Sequence, residues 1–338
     1  MFKVAIVGAT GAVGAELLRV LEARNFPVRE LVALASPRSA GQQLPFAGGM
    51  VTVAPATPEA FADCDFVFFS AGASRSRELA PAALAAGAHV IDNSSAFRTD
   101  PAIPLVVPEV NPDAIGPDHR LVANPNCVAA IMSVACAPLA RVVPLRRLVV
   151  ATYQSASGAG ALAMEDLEVQ TRDYLAGRPV IAKVLPHPYA FNLFSHNAAI
   201  EDNGYNGEEN KVVFEMKKIM QQPDLLLSVT CVRVPVLRAH SMALNIETTA
   251  ADVAPLIPAM QAALAQAPGV RVVDDRDRNH FPMPNEASGA DPVLVGRLRA
   301  DPSHPGAVNL FIVGDQLLKG AALNAVQLAE LIAPRRRA

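Results

Sequence analysis

The N-terminal stretch KVAIVGATGAVGAELLRVLEAR constrains this chain most. A short β-rich run, KVAIV, meets a glycine-dense turn, GATGAVG. A helical pattern follows in AELLRVLEAR, with Leu17, Leu18 and Leu21 at helical spacing. Gly8, Gly11 and Gly14 fall between strand and helix. Glycines there allow a tight turn and close backbone approach to a pyrophosphate, and the helix start offers open N–H groups and a positive dipole end. A glycine pattern alone is weak; the strand before it and the helix after it make it a dinucleotide turn. LVALAS, FVFFSAG and HVIDNS are further apolar strands, and SRELAPAALAAG is helical. This alternation predicts an α/β, Rossmann-type, doubly wound parallel sheet.

The end of the second strand bears on the cofactor. A site for NAD places Asp or Glu there, on the ribose hydroxyls. This chain has LASPRSAG instead, with Ser36, Arg38 and Ser39. An Arg and two hydroxyls suit a 2′-phosphate, so NADP is the expected cofactor.

From about residue 146 the pattern changes. RLVVATYQSASG, LLLSVTCVRVPV, HSMALNIETT, VRVVDD, PVLVGRLRA and VNLFIVGDQ are strands with fewer helices between them. They predict a second, α+β domain with a largely antiparallel sheet. EDNGYNGEEN reads as a polar loop before a helix in KVVFEMKKIM, and GAALNAVQLAELIA as a closing helix. A length of 338 residues, 51% of them hydrophobic, suits two buried cores. The net charge of −3 with no long single-sign run argues against nucleic-acid or membrane-surface partners; the basic PRRRA end is expected to be solvated. No apolar run has the length of a membrane span, and the N-terminus reaches glycine too early for a signal peptide. Cys64, Cys127, Cys136 and Cys231 lack metal-ligand spacing. No metal site is expected, and reduced thiols in a cytoplasm are.

NPNCVAA is the second focus. Asn-Pro-Asn stops a helix, and Asn126 is a good N-cap for a new one. Cys127 then lies in the first turn, where the dipole favours a thiolate. Cys136 and Cys231 lie in apolar elements and read as packing residues, while Cys64 is flanked by two acids. Residue type alone leaves Cys127 open between nucleophile and buried side chain. A thiolate nucleophile needs a proton-handling partner. His240, in RVPVLRAHSMALNIE near Arg233, lies between two expected strands and stays open between base and structural residue.

VGATGAVG, LASPRSAG, SSAFR, PEVN, NPNCVAA, TYQSASGAG, EENK, RVPVLRAHS and GDQLLKGAALNAV occur in this order from end to end. The chain thereby resembles the bacterial aspartate-β-semialdehyde dehydrogenase family. The resemblance implies an NADP-binding Rossmann domain over 1–126 plus 316–338, a catalytic and dimerisation domain over 127–315, and a homodimer. It implies reductive dephosphorylation of L-aspartyl-4-phosphate to aspartate semialdehyde and phosphate, feeding lysine, threonine, methionine and diaminopimelate synthesis. Cys127 matches the nucleophile that forms a thioester, His240 the acid/base and Gln154 a residue orienting the acyl group. Arg233 matches the grip on the substrate carboxylate, in keeping with its planar fork. Glu208 resembles the partner of the substrate ammonium, and Arg98, Lys211 and Asn126 the phosphate pocket. The cofactor pattern falls on Thr10, Gly11, Ala12, Val13, Arg38, Ser39, Ser157, Gly158 and Gln316, with Asn324 near the nicotinamide amide.

One departure stands out: Ala239 precedes His240 where the family commonly has Gly, which matters if the position needs a positive φ. N-acetyl-γ-glutamyl-phosphate reductase is the nearest alternative, but its uncharged nitrogen gives Glu208 no purpose. A non-catalytic paralogue is a further reading, set against the complete set Cys127, Gln154, Arg233 and His240. A thiol-dependent hydrolase conflicts with the cofactor turn.

Overall fold

The computed structural model describes residues 1–336; the side chains of residues 335–338, and with them the expected solvated basic end, lie outside the described residues. The chain divides into two compact units, one formed by 1–126 with the segment from Ala321, the other by 127–320.

In the first unit, β1 (Phe2–Val7) buries Val4, Ala5 and Ile6 completely, as a strand covered on both faces must. α1 (Ala12–Ala23) buries Leu17, Leu18 and Leu21, the residues whose spacing announced it. β2 (Val28–Ala35), the hairpin β3 (Gln43–Phe46) and β4 (Gly49–Thr52), and β5 (Ala54–Pro55) follow. Then come β6 (Phe66–Phe69), α2 (Ala73–Ala85), β7 (His89–Asp92) and β8 (Leu121–Ala123). Six strands form one sheet in the order β5-β2-β1-β6-β7-β8, every pairing parallel. The chain runs outward from β1 and restarts on its other side at β6. That reversal is the switch point at which doubly wound sheets hold ligands beyond the strand ends. Gly8 stands there, directly after β1.

The second unit opens with α3 (Cys127–Val142), whose residues from Val128 to Leu139 are all buried. A helix that is apolar all round belongs inside a core. β9 (Leu145–Gln154), α4 (Ala161–Leu175), β10 (Phe194–Ser195), α5 (Gly207–Ile219), β11 (Leu226–Arg233) and β12 (His240–Thr248) follow. α6 (Ile257–Gln266), β13 (Val270–Val272), α7 (Pro284–Ala287), β14 (Val293–Asp301) and β15 (His304–Gly314) complete the unit. The seven-stranded sheet has the order β10-β11-β9-β12-β15-β14-β13. Pairs β10–β11, β9–β12, β12–β15 and β14–β15 are antiparallel, as expected for most of the sheet. Pairs β9–β11 and β13–β14 are parallel, so the sheet is mixed. The β9–β11 pair is parallel because the chain crosses back through α4 and α5, and a parallel pair needs such a crossover.

α5 begins inside the stretch read as a loop. The Asn206 side chain accepts the N–H groups of Glu208 and Glu209, and the Glu209 carboxylate accepts that of Asn206. This capping box starts the helix at Gly207 and puts Glu208 and Lys211 on one face. α8 (Leu323–Arg336) returns to the first unit and packs on α1, with Arg24 paired to Glu330 at 2.7 Å. The return falls at Ala321, whereas the sequence reading put it at 316. Residues 316–320 stay with the second unit, since Gln316 accepts the Ala239 N–H and the Gly320 N–H reaches the Asp315 carbonyl.

Candidate active site

One end of the second unit's sheet collects the expected catalytic residues. Arg233, the last residue of β11, is in register with Gln154, the last of β9. His240, the first residue of β12, faces Gly314, the last of β15. β9 lies between β11 and β12, so Arg233, Gln154 and His240 stand side by side, each almost fully buried. Cys127 is the first residue of α3 and the one half-buried cysteine of the four. Burial pushes the Cys136 thiol up to about 12 and Cys64 to about 11, and raises Cys231 as well. Gly320 passes close by: a Cβ there would stand 2.7 Å from the Cys127 Cβ. Sequence reasoning missed Gly320, because a lone glycine before a helix carries no pointer to a residue so distant in the chain.

His240 is held by Ser155. The Ser155 backbone N–H donates to Nδ1 at 3.0 Å, with the Ser155 hydroxyl also at 3.0 Å. A backbone N–H can only donate, so Nδ1 is bare and the neutral ring carries its proton on Nε2. That Nε2 is buried and has no hydrogen-bond partner among the described residues. Burial first, then the charge of Arg233, holds His240 well below the ordinary histidine range, so the ring is neutral near pH 7.

The residue before it has φ +72°, so Ala239 occupies the left-handed region in which the family commonly places glycine. Alanine in that region costs about 1–2 kcal/mol. The Ala239 N–H donates to Gln316 Oε1 at 2.9 Å, Gln316 Nε2 donates to the Ser157 hydroxyl, and the Ser157 and Ser155 hydroxyls are 3.0 Å apart. Ser157 and Gln316, expected with the cofactor, thus lie in the network behind His240. Gly158 touches the same group: a Cβ there would lie 2.9 Å from His240 Nε2 and 3.2 Å from Arg233 Nη1.

Asp315 ties this end together and was not singled out from the sequence. One carboxylate oxygen accepts Arg238 Nε and the Gly289 N–H, both at 2.6 Å; the other accepts the N–H groups of Leu317 and Leu318. Gln154 Oε1 accepts the Thr152 hydroxyl at 3.1 Å, while Gln154 Nε2 points at Glu208 from 3.4 Å. Lys211, more exposed, lies 3.8 Å from Glu208. Arg233 is 4% exposed and forms no ion pair among the described residues. Its guanidinium donates to His196 Nε2 at 2.8 Å, and to Asn197 Oδ1 and the Ser155 carbonyl, each at 3.3 Å.

The remaining expected residues belong to the first unit. Gly8 has φ +94°, and a Cβ on it would stand 2.7 Å from the Ser70 carbonyl oxygen. Thr10 and Gly11 are exposed before α1, Ala12 and Val13 open the helix, and no side chain caps its start. Ser36 and Arg38 are exposed just past β2, beside half-buried Ser39; Arg38 forms no ion pair among the described residues. Asn324 Nδ2 donates to Asn124 Oδ1 at 2.6 Å and to the Val106 carbonyl at 3.0 Å, leaving its own buried Oδ1 without a partner. Arg98 is buried, with Nε on the Asn124 carbonyl at 2.9 Å and Nη2 on that of Asn93 at 2.8 Å. Asn126 is buried at the end of this segment. A backbone turn that excludes Cβ atoms, an open helix start, an unpaired cation and an orphaned amide oxygen suit a dinucleotide with a charged ribose and a carboxamide. No group of acidic, histidine or cysteine side chains suited to a metal ion occurs among the described residues. None of their helices is long and apolar enough to cross a membrane.

Comparison with known proteins gives the class first. Residues 3–117 match the NAD-binding domain of semialdehyde dehydrogenase, and residues 136–319 match its dimerisation domain. The chain is 53% identical to aspartate-semialdehyde dehydrogenase of Synechocystis over 98% of both chains. It is 46% identical to that of Aquifex aeolicus, again over 98% of both. A crystal structure of aspartate semialdehyde dehydrogenase II from Vibrio cholerae, complexed with ASA, superposes with a TM-score of 0.94 at 43% identity, covering 99% of this chain and 98% of that one. This chain belongs to the aspartate-semialdehyde dehydrogenase family, and it is an oxidoreductase.

The Gly158 contact makes a prediction. Gly158→Ala must move His240 and Arg233, which are too buried to yield freely, and a displacement approaching 1 Å lowers turnover by about 10²-fold. Steady-state kinetics should show kcat falling and substrate KM rising. A change confined to the cofactor's KM would return Gly158 to the cofactor site alone.

Proposed function

We propose that this enzyme reduces L-aspartyl-4-phosphate to aspartate semialdehyde, releasing phosphate, through a thioester on Cys127 and with NADP as its cofactor. The observation that carries the reading is a buried, unpaired Arg233 beside a neutral His240 whose Nε2 has no partner. A buried guanidinium without a counter-charge is costly to fold around, and a substrate carboxylate completes it.

Cys127, as thiolate at the α3 start, attacks the acyl carbon. The C–S bond forms and the bond to the phosphate oxygen breaks, so phosphate leaves with its charge. Arg98, Lys211 and Asn126 are proposed to receive it. Reduction of the thioester needs a hydride, which the nicotinamide cofactor supplies when bound. His240 Nε2–H donates a hydrogen bond to the oxyanion on the tetrahedral carbon, which re-forms the carbonyl as the C–S bond breaks, so that the aldehyde departs and the Cys127 thiolate is regenerated. Because Nε2 already holds the proton, this role suits His240 better than removing the proton from the thiol; the helix start favours the thiolate without it. Gln154 orients the acyl group, and Glu208 meets the substrate ammonium. An N-acetylated substrate has no ammonium for Glu208 to meet, so aspartyl phosphate is preferred.

Gly8, Thr10, Gly11, Ala12 and Val13 are proposed to hold the cofactor's pyrophosphate, and Ser36, Arg38 and Ser39 its 2′-phosphate. The bare Oδ1 of Asn324 suits an N–H of the carboxamide. The family description of residues 136–319 as a dimerisation domain supports a homodimer. Cytoplasmic location and supply to lysine, threonine, methionine and diaminopimelate synthesis complete the proposal.

The direct test runs the reaction in reverse: aspartate semialdehyde, phosphate and NADP, followed as NADPH absorbance. Cys127→Ala should abolish the signal while cofactor binding persists. His240→Asn should lower kcat by about 10²–10⁴-fold with a smaller change in KM. In the native protein, kcat should fall only at pH values below the ordinary histidine range, where the depressed His240 takes up a proton, and this limb should vanish in the variant. No phosphate-dependent signal from folded native protein refutes the reaction.

Arg38→Ala should weaken NADP binding by on the order of 1.5–3 kcal/mol and leave NAD binding nearly unchanged. Equal native Michaelis constants for NAD and NADP would contradict the assignment. Light scattering should return twice the mass of one chain at micromolar concentration; a monomer there removes the dimer.

A further inference from the structure

We propose that His196 is the positioning residue that makes Arg233 selective for a substrate carboxylate, by orienting its guanidinium with an uncharged acceptor. The inference rests on reading Arg233 as the carboxylate grip, and it concerns what tunes that grip.

β10 runs antiparallel to β11, with Phe194 in register with Arg233, and the His196 N–H donates to the Cys231 carbonyl. This short edge strand carries His196 and Asn197 past the guanidinium. All three of its acceptors, His196 Nε2, Asn197 Oδ1 and the Ser155 carbonyl, are neutral. A guanidinium only donates, so His196 Nε2 must be the bare nitrogen and Nδ1 must carry the proton. The Ala198 N–H also points at the ring, reaching Nδ1 at 3.2 Å, so two donors compete for its one bare nitrogen, and the charged guanidinium, closer at 2.8 Å, is the stronger of them.

Burial, followed by the Arg233 charge, lowers His196 to about 4, with Glu208 pulling the other way and Lys211 adding to the lowering. The ring therefore stays neutral near pH 7. An Asp or Glu at this position would hold the fork equally well, but would form an ion pair and cancel the charge that a substrate carboxylate needs. A neutral acceptor separates the two effects: geometry is fixed and the charge is kept. The same unit shows the contrast at Arg238, which meets the buried carboxylate of Asp315 at 2.6 Å. Arg238 is spent on structure, whereas Arg233 is held open.

The test compares two aldehydes in the phosphate-dependent assay: aspartate semialdehyde, and 3-aminopropanal, which lacks only the α-carboxylate. The ratio of their kcat/KM values measures the carboxylate's contribution, and general damage to the fold affects both aldehydes alike. His196→Gln, a neutral acceptor, should keep the native ratio. His196→Leu removes the acceptor and should lower the ratio about tenfold, mainly through KM for aspartate semialdehyde. His196→Glu should lower it further. A ratio unchanged in the Leu and Glu variants, with both substrates slowed equally, overturns the inference and makes His196 structural. Should the Glu variant not fold, the Gln and Leu pair decides. A native enzyme with no preference between the aldehydes, or an Arg233→Lys variant with an unchanged ratio, instead overturns the reading of Arg233.

Discussion

The pairing of β9 with β11 on one side and β12 on the other is the constraint from which the second unit's site follows. β11 and β12 are consecutive in the chain, so a simple hairpin would have made them neighbours. β9 stands between them, parallel to one and antiparallel to the other. Arg233, Gln154 and His240 consequently reach the same sheet end from two strand termini and one strand start. Strands in a sheet lie about 4.8 Å apart, which sets the spacing of the three positions. The loop after β9 then folds over this row. Its Ser155 N–H sets the His240 tautomer, while the Ser155 carbonyl accepts from Arg233.

Charge is handled differently at the two arginines of this end. Asp315 pairs with Arg238 through Nε and also collects three backbone N–H groups, so a buried carboxylate fixes the turn that carries Gln316 and Gly320. Arg233 has only neutral acceptors. Folding alone does not favour a buried charge without an ion pair, and its persistence beside a neutral, depressed histidine marks a costly position, as the proposed carboxylate grip would require. The strained Ala239 is a second costly position. Its positive φ turns β12's first residue inward, and the Gln316 side chain holds the backbone there.

Close approach explains the glycines that conformation does not. Gly158 and Gly320 are needed for the room they leave, one against His240 and Arg233, the other against Cys127. Any side chain at either position would push one of these neighbours aside. The sequence marks such glycines no differently from those in surface turns, because the atoms they make room for lie elsewhere in the chain.

Much of this protein was determined by local sequence. The strand, glycine turn and helix at the N-terminus, the apolar strands of the parallel sheet, and the helix that starts at Cys127 all follow from short-range periodicity and backbone sterics. The start of α5 was equally local, in Asn206 and Glu209, and was passed over because polar residues around glycine resemble a loop. The order of strands was not local. Nothing within β11 or β12 specifies that β9 separates them; that depends on which apolar faces bury best together once α3, α4 and α5 are in place. The neutral state of His196 and His240, the unpaired charge of Arg233 and the hub at Asp315 were likewise decided by tertiary structure. A titratable group's behaviour depends on burial and on neighbours brought from distant segments, and those exist only in the folded chain.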